Sequence, residues 1–488
     1  MTALTRAPQR APATPAEPLV YRPSRIIARA AERGRQLLGI VQEPALEVRT
    51  AQIATVIPAY NEQDSIGEVL KSLLEQSRLP DVIYVVANNC DDATADVAAR
   101  FEGVHRRRIR GNDYACRIEV HDMGANADKK VGALNYGFGL AARADYLLGV
   151  DGDTVLDRNC VCDLELEMVS DSRIGGISAI YDILYRPDAG PMETFLVAGQ
   201  RKQFAEFEMD NLLNERRMTV LGGQATLFRL DTLRDVCRAK RIAAPWVRDS
   251  AVEDGLLTLW IAAEGYQTLI SPAARAHVDS MPTLGALHHQ QVKWVSGGAD
   301  LMLRNPLHPN LRLRWRETTG MLVNIVTRLG FIVLLLAALD VHAFRFRPLW
   351  LIPPAVAVLL NLKIASTMQT RGWRDYLFAL FALPAEVYMW VRMSHFCAAW
   401  AKQLSKSGKD AWAAQARAER GGGGKDQLWP LLVTAGILAA LAVGWWHLSS
   451  HDQSAILRIG WPVLFTVTIT QTAVMARKVL RRTRGFRV

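Results

Sequence analysis

Four apolar stretches in the last third of the chain set the strongest limit on what this sequence can fold into. They cover about residues 320–339, 349–366, 428–447 and 456–475. Each approaches or exceeds the length that a helix needs to cross a bilayer. A fifth apolar stretch, at about 376–400, also contains a proline, a glutamate, an arginine and a histidine. The sequence therefore predicts a helical membrane domain over 316–476.

Basic residues between these stretches predict the orientation of the membrane domain. The loop 401–427 and the C-terminal segment 477–488 each hold six Lys or Arg residues, whereas 448–455 holds none. By the positive-inside rule the two basic segments are cytoplasmic, and so is the region 51–315. We then expect 376–400 to be an interfacial or re-entrant helix, because a full crossing would break that rule or place 51–315 outside.

Charge and cysteine content exclude two other classes of protein. The net charge is +10, and the segments 1–50 and 477–488 account for all of it. A nucleic-acid-binding domain usually carries a basic face on its folded body, so we expect no nucleic-acid partner. Six cysteines in 488 residues exclude a scaffold held together by disulfides, and they lack the spacing of metal ligands. We therefore expect a reduced, cytosol-facing chain.

The N-terminal segment is predicted to lie on the membrane surface rather than to span it. Residues 1–23 resemble a mobile tail, and about 24–40 a short basic amphipathic helix. No apolar run follows Met1, so neither a signal peptide nor an N-terminal span is expected. Both basic ends are expected to rest on the anionic lipid of the bilayer.

Residues 51–315 alternate apolar, β-branched runs with helical periodicity. This alternation predicts an α/β domain with a mostly parallel, doubly wound sheet. The predicted strands are Ile53–Pro58, Val82–Ala87, Arg117–His121 and Tyr146–Val150. Helices are expected after Asp64 as a capping residue, at Ala93–Phe101 and at about 129–143. Ligands of such a sheet bind beyond the carboxyl ends of its strands.

Polar side chains follow two of these strands directly. Asp151 and Asp153 come just after the fourth strand, and two buried carboxylates there favour a divalent cation such as Mg²⁺ or Mn²⁺. Asn88 and Asn89 follow the second strand, where they can contact a base or ribose. The same segment can instead be a polar turn in which Asp92 caps the next helix, and both interpretations can hold together.

Lys130 stands at the start of a predicted helix, where the helix dipole disfavours a positive charge that has no anionic partner. A phosphate group is the partner we expect. The segment Gly137–Ala142 matches a dinucleotide fingerprint but lies inside that helix, and the sequence has no Walker-type phosphate loop. His288 and His289 are expected on a polar helix face rather than as metal ligands.

Seven short motifs occur in the order seen in membrane-bound, inverting family-2 glycosyltransferases. They are Pro58–Glu62, Asn88–Asp92, Lys130–Asn135, Asp151–Asp153, Gly222–Gln224, Glu253–Asp254 and Gln290–Trp294. The chain thereby resembles the cellulose, hyaluronan, chitin and poly-N-acetylglucosamine synthases over about 51–300. The resemblance implies a GT-A fold that binds a UDP-sugar, of the UDP-GlcNAc or UDP-Glc type, together with Mg²⁺ or Mn²⁺.

The resemblance also implies a role for each motif residue. Asp254 would be the base that deprotonates the acceptor, and Asp153, with Asp151, would hold the metal ion on the diphosphate. The nucleotide-sugar would contact Pro58, Tyr60, Glu62, Asn88, Lys130, Asp151 and Lys293. The glycan acceptor would contact Gly222, Gly223, Gln224, Glu253, Gln290 and Trp294, with Trp294 stacking on a sugar ring.

Departures from the family pattern keep alternatives open. Lys293 stands where arginine is usual, and Asn88 stands where many relatives have a carboxylate. The hyaluronan and cellulose enzymes also carry spans before the catalytic domain, and none is expected here. The predicted function is extension of a β-linked glycan. The alternatives are transfer of a few sugars to a lipid- or protein-linked acceptor, an assembly of several copies, and a catalytically inactive scaffold.

Overall fold

The computed structural model describes residues 51–109, 112–248, 252–405, 429–480 and 485–488. The predicted N-terminal tail and amphipathic helix, and nearly all of the loop 401–427, lie outside the described residues. The chain divides into two units, Met1–Leu184 with Asp210–Asp279 and Tyr185–Met209 with Ser280–Val488.

The first unit is built on a nine-stranded sheet. Its strands are β1 Ile53–Ala59, β2 Val82–Ala87, β3 Gly103–Ile109, β4 Asn112–Asp122, β5 Tyr146–Val150, β6 Val155–Leu156, β7 Ile174–Ile183, β8 Gln224–Arg229 and β9 Gln267–Val278. The first helices of the chain are α1 Ile66–Leu74, α2 Thr94–Ala99, α3 Lys129–Leu140, α4 Cys160–Ser170, α5 Pro191–Leu213, α6 Leu230–Lys240 and α7 Glu253–Ala263. Of these, α5 begins in the second unit and ends in the first.

The strand order is β3-β4-β2-β1-β5-β8-β7-β9-β6, and the sheet is mixed. Strands β4, β2, β1 and β5 run parallel to one another. Strand β8 then pairs antiparallel with both β5 and β7, and β7 pairs parallel with β9. Antiparallel pairs form the two edges, the β3–β4 hairpin at one and β9–β6 at the other. The α/β class is confirmed, and the parallel arrangement that we predicted describes the half of the sheet that contains β1.

Burial explains which strands the sequence could predict. All residues of β1 and β5 are buried, so these strands are continuous apolar runs, and the predicted bounds of β2 and β5 match the structure. The predicted strand Arg117–His121 is only the second half of β4, which forms a hairpin with β3. Side chains of β3 alternate between half-buried and exposed and include three arginines, so no apolar run marked it.

The N-cap of the helix after β1 lies one residue later than predicted. Ser65 occupies the N-cap position of α1, so the prediction of Asp64 was wrong. Apolar residues of α1 are fully buried against the sheet, which fixes the start of the helix beside the β1 end. At α2 the N-cap is Ala93, and the Asp92 carboxylate accepts the Thr94 N–H at 2.9 Å, which satisfies one donor of the first turn.

The second unit is helical. Its helices, besides most of α5, are α8 Leu284–Arg304, α9 Arg312–Asp340, α10 Ile352–Thr367, α11 Trp373–Leu380, α12 Ala382–Leu404, α13 Trp429–Trp446 and α14 Ser450–Val479. Among the described residues, three segments are long and apolar enough to cross a membrane, namely Pro309–Asp340, Pro348–Thr367 and Ser450–Arg477. Helix α13 covers the predicted stretch at 428–447. That these helices cross a bilayer stays a prediction.

The predicted interfacial or re-entrant stretch is a broken helix. Helices α11 and α12 meet at an angle of 85°, and together they count as a fourth candidate span or as a re-entrant loop. Pro384 lies in the first turn of α12 and has no N–H to donate. In an unbroken helix its ring would clash with the carbonyl four residues earlier, at Leu380. Helix α11 ends at that residue.

Buried polar contacts tie the helices of the second unit together. Arg201 on α5 forms an ion pair with Asp375 on α11 at 2.9 Å, and both side chains are 1% exposed. The Tyr185 hydroxyl donates to the same carboxylate at 2.9 Å. Gly199 packs so closely on Tyr388 that an added Cβ would lie 2.5 Å from the Cγ of its ring.

Candidate active site

The carboxyl ends of three parallel strands bring most of the predicted donor-site residues together. Tyr60 and Glu62 follow β1, Asn88 follows β2, and Asp151 and Asp153 follow β5. Strand β1 lies between β2 and β5, so the three loops are neighbours at one edge of the sheet. Pro58 is still within β1 and pairs with β2, so it lies just before the loops at this edge.

A serine that sequence reasoning missed joins two of these loops. Ser65 Oγ lies within hydrogen-bonding distance of both Glu62 Oε2, at 2.6 Å, and Gly152 O, at 3.0 Å. A Cβ on Gly152 would lie 2.7 Å from Glu62 Cγ. The middle position of the Asp-Gly-Asp motif therefore needs glycine because the Glu62 side chain lies directly against it.

Negative charge is concentrated at the strand ends. Burial and the Asp153 carboxylate raise the pKa of Glu62 to about 8. Burial and the Asp151 carboxylate raise the pKa of Asp153 to about 7. Asp279, which follows β9 and was not predicted, adds to both shifts. A cation bound here would relieve this repulsion.

The donor atoms suit a hard divalent cation in kind, since they are all carboxylate oxygens. Within the described residues, however, no three Asp, Glu, His or Cys side chains stand together as a ready metal site. The predicted ligands Asp151 and Asp153 thus fit Mg²⁺ or Mn²⁺ as part of a coordination shell, and other ligands must complete it.

Lys130 has a carboxylate as its partner in the structure. Lys130 lies on the first turn of α3, and its Nζ is 2.6 Å from Asp151 Oδ1. Burial lowers the pKa of Lys130, but Asp151, Asp254 and Glu253 raise it by more, so it stays protonated. The anion that the helix dipole requires is therefore already supplied by the protein. The expected contact with phosphate stays a prediction.

Asp254 and Glu253 form the first turn of α7, where the helix dipole favours negative charge. Burial and then the Glu253 carboxylate raise the pKa of Asp254 to about 7, although Lys130 opposes the rise. Lys130 thus interacts electrostatically with both Asp151 and Asp254. A carboxylate whose pKa is raised to near neutral has the property of a general base.

A tryptophan near Asp254 was also missed. The Trp246 indole lies close enough to oppose part of the rise in the pKa of Asp254. The Asn135 side chain, on α3, donates to the backbone carbonyl of Trp246 at 2.9 Å and accepts the backbone N–H of Trp246 at 3.2 Å. The Trp246 ring, 3% exposed, packs edge-on against Phe228 at 6.0 Å. The Lys130–Asn135 motif therefore also positions this indole.

The Gly222–Gln224 motif leads into β8 at an irregular point of the sheet. The β5–β8 register shifts between Gly149 and Val150, and Ala225 has a left-handed φ of 83°. This backbone path brings Gly223 against Asp151, where an added Cβ would lie 2.9 Å from the carboxyl carbon. The predicted acceptor motif therefore touches the predicted donor carboxylate.

Asn88 has a structural contact at the predicted base-binding turn. It is 2% exposed, and its amide donates to Ala59 O at 3.1 Å. The neighbouring Asn89 donates to Asn88 Oδ1 at 3.2 Å. Asn88 therefore holds the β1 and β2 ends together, and its contact with a base stays a prediction.

The last motif lies on α8 in the second unit. Gln290 and Lys293 are buried there, and the Trp294 ring lies 6.3 Å from that of Phe204. Their predicted contacts with acceptor and donor stay predictions. His288 is buried, and its ring lies 5.1 Å from that of His395 on α12.

Comparison with known proteins places the chain in a family. Residues 51–297, slightly more than half of the chain, match the model of Glycosyltransferase like family 2. The chain belongs to this family. The matched range covers the strand ends described above and the motif on α8.

Similar curated proteins include poly-beta-1,6-N-acetyl-D-glucosamine synthases. The protein of Staphylococcus aureus strain MSSA476 is 24% identical over 261 residues, which is 52% of this chain and 56% of that protein. The Staphylococcus epidermidis protein is 23% identical over 259 residues, with the same coverage. The chain thus spans about half the length of these relatives. Among solved structures, a similar protein is the mannosyltransferase PcManGT from Pyrobaculum calidifontis in complex with GDP-Man and Mn²⁺. It is 15% identical, with a TM-score of 0.47, and the match covers 78% of this chain and 95% of the mannosyltransferase.

Proposed function

We propose that this family-2 protein transfers a sugar from a UDP-sugar to a growing β-linked glycan, with inversion at the anomeric carbon. One observation carries the proposal. The protonated ammonium of Lys130 contacts Asp151 at the strand ends and interacts with the half-buried carboxylate of Asp254, whose pKa is raised to about 7. A group that binds negative charge and a candidate base thus lie within electrostatic reach of each other.

The donor side of the site would bind the diphosphate through charge. Asp153, with Asp151, would hold Mg²⁺ or Mn²⁺, and oxygens of the diphosphate would complete the coordination shell. When bound, the cation neutralises the negative charge that grows on the departing UDP. Lys130 adds a fixed positive charge to the same region. Tyr60, Glu62 and Asn88 would surround the uridine.

The acceptor side would supply the base. Asp254 would accept the proton of the acceptor hydroxyl while that oxygen bonds to the anomeric carbon. The bond from that carbon to the diphosphate breaks on the opposite side, so the configuration inverts. Burial and Glu253 raise the basicity of Asp254, because they disfavour its charged form. Gly222, Gly223, Gln224 and Gln290 would line the acceptor, and Trp294 would stack on a sugar ring. Lys293 would meet the diphosphate of the donor.

The sugar and the product are proposed from the relatives. The similar curated proteins are named as synthases of a β-1,6-linked N-acetylglucosamine polymer, so UDP-GlcNAc is the first donor to test. We further propose that the apolar helices of the second unit anchor the enzyme in the plasma membrane. The catalytic unit and both termini would then be cytoplasmic, where the nucleotide-sugar is made.

Replacing the proposed base tests this function. Asp254→Asn keeps the shape of the side chain but cannot accept the proton, so we expect turnover to fall by about 10²–10⁴-fold. UDP binding should change little, because the base does not contact the nucleotide. Glu264→Gln, at the far end of α7, is the matched control and should behave like the wild type. Equal turnover in all three proteins would refute the role of Asp254.

A further inference from the structure

A second candidate site lies on the first unit, apart from the strand ends. It is a cavity of about 360 Å³ lined by Ser77, Arg107, Arg108, Ile109, Arg158 and Asn159. We call it the arginine cavity. Its volume falls in the range of about 300–1,000 Å³ that is usual for small-molecule sites.

The arginine cavity lies at the opposite edge of the parallel strands from the candidate active site. Ser77 comes five residues before Val82, where β2 begins. Ile109 pairs with Asn112 on β4, and β4 reaches the start of β2 only at Arg117. Both cavity residues therefore lie beyond the amino ends of the parallel strands, whereas the predicted donor residues lie beyond their carboxyl ends.

The charge of the arginine cavity is unbalanced. Three of the six residues that line it are arginines, of which Arg108 and Arg158 are exposed, and none of the six is acidic. In the part of the chain that the structure describes, Arg107, Arg108 and Arg158 form no ion pair with a carboxylate. Asp113 is the cross-strand neighbour of Arg108 in the β3–β4 register but forms no ion pair with it. Unpaired guanidinium groups around one cavity attract an anion.

The walls of the cavity are fixed by hydrogen bonds that leave this charge available. Arg107 Nη1 donates to Leu74 O at 2.9 Å at the end of α1. The Ser77 N–H donates to Arg158 O at 2.7 Å, which joins the two walls. Gln76 is buried and donates to Asp157 O at 2.9 Å, directly beside Arg158. These bonds fix the backbone around the cavity and the Arg107 side chain before a ligand binds, so only the exposed side chains must be ordered.

A hydroxyl group in the cavity wall also lacks a partner. Ser77 Oγ is buried and, among the described residues, makes no hydrogen bond. A buried donor without a partner costs about 1–3 kcal/mol, and a ligand oxygen would remove that cost. Guanidinium groups with a hydroxyl donor are the set that binds phosphate oxygens, since Arg can donate two parallel hydrogen bonds.

We propose that the arginine cavity binds a phosphate-bearing ligand, separately from the sugar-transfer site. The phosphate contacts Arg108 and Arg158 from the two walls and accepts a hydrogen bond from Ser77 Oγ. Two sources share this chemistry, a free phosphorylated molecule and a phospholipid headgroup. The inference depends on the cavity alone and not on the transferase activity.

Equilibrium dialysis of detergent-purified full-length protein with labelled pyrophosphate, in metal-free buffer, tests the proposal. We expect the double variant Arg108→Gln/Arg158→Gln to bind pyrophosphate at least tenfold more weakly than the wild type. Ser77→Ala should weaken binding about threefold to tenfold, because it removes one hydrogen bond. Arg100→Gln, an exposed arginine at the end of α2, removes one charge outside the cavity and should bind like the wild type.

Competing phosphatidic acid in mixed micelles distinguishes the two sources. Displacement of pyrophosphate from the wild type indicates that a headgroup fits, and no displacement indicates a free ligand. Either result supports the site when the double variant has lost binding. Equal binding by the wild type and the double variant, with matching melting temperatures, would overturn the proposal. So would the absence of binding to the wild type at millimolar pyrophosphate.

Discussion

Replacing Gly223 with alanine should damage the site through a single methyl group. An added Cβ would lie 2.9 Å from both Asp151 Cγ and Asp151 Oδ2, well inside ordinary van der Waals contact. The carboxylate must then move by several tenths of an ångström or more, away from its position 2.6 Å from Lys130 Nζ. The variant therefore separates the two charges that link the donor and acceptor sides.

The structure allows the size of the effect to be worked out. If the Lys130–Asp151 distance grows from 2.6 Å to about 3.6 Å, the attraction falls by about 1.8 kcal/mol at an effective dielectric constant of about 20. That corresponds to about 20-fold, and a misplacement of about 1 Å in an active site costs up to about 100-fold. We expect kcat/KM of Gly223→Ala to fall by about 20- to 100-fold. Overpacking should lower the free energy of unfolding by about 1–3 kcal/mol.

The assay is UDP release by purified protein, with thermal unfolding measured on the same samples. Gly139→Ala is the matched control, because nothing lies within 4 Å of its added Cβ in α3. That variant should keep full activity and gain about 0.5–1 kcal/mol of stability. Wild-type kcat/KM in folded Gly223→Ala would refute the tight contact between Gly223 and Asp151.

Three further predictions concern the proposed base, the proposed metal ion and the packing of the second unit. The pKa of Asp254 is raised to about 7, and a base acts in its ionised form. We therefore expect kcat/KM to rise as the pH increases through about 7. A flat profile from pH 5.5 to 8.5 would contradict this role. EDTA should stop UDP release, and Mg²⁺ or Mn²⁺ should restore it, whereas full turnover in EDTA would exclude a required cation. Gly199→Ala should lower the free energy of unfolding by about 1–3 kcal/mol, because its added methyl group would overlap the Tyr388 ring. Gly298→Ala is the control, since nothing lies within 4 Å of its added Cβ, and it should not lower that energy. Equal melting temperatures of the two variants would refute the close packing of Gly199 on Tyr388.

The strand ends were predictable because two simple patterns agree there. Strands β1, β2 and β5 are apolar runs that a parallel sheet buries, so their bounds were predicted within one residue. Parallel strands place the residues that follow them at one edge, which is why Glu62, Asn88 and Asp151 could be grouped.

Contacts between residues that are far apart in the chain were not predictable. Trp246 contacts Asn135 across 111 residues, and nothing in the sequence near either residue indicates the pair. Lys130 was expected to pair with a phosphate, but Asp151 is its partner because the fold brings the first turn of α3 to the residues that follow β5. The arginines of β3 produced no strand signal, because an edge strand with one exposed face does not need an apolar run.

The membrane region was predictable in outline only. Apolar length identified helices α9, α10 and α14. The position of the 85° break between α11 and α12 depends on local backbone geometry around Pro384, which hydropathy does not measure.

UDP release by the detergent-purified chain, across a panel of UDP-sugars with Mg²⁺ or Mn²⁺, tests the central claim most directly. The account predicts release with one UDP-sugar above the rest, loss of that release in Asp254→Asn, and a glycosidase-sensitive product. No release with any UDP-sugar, with or without added glycan or host lipid, from folded protein that binds UDP would contradict it.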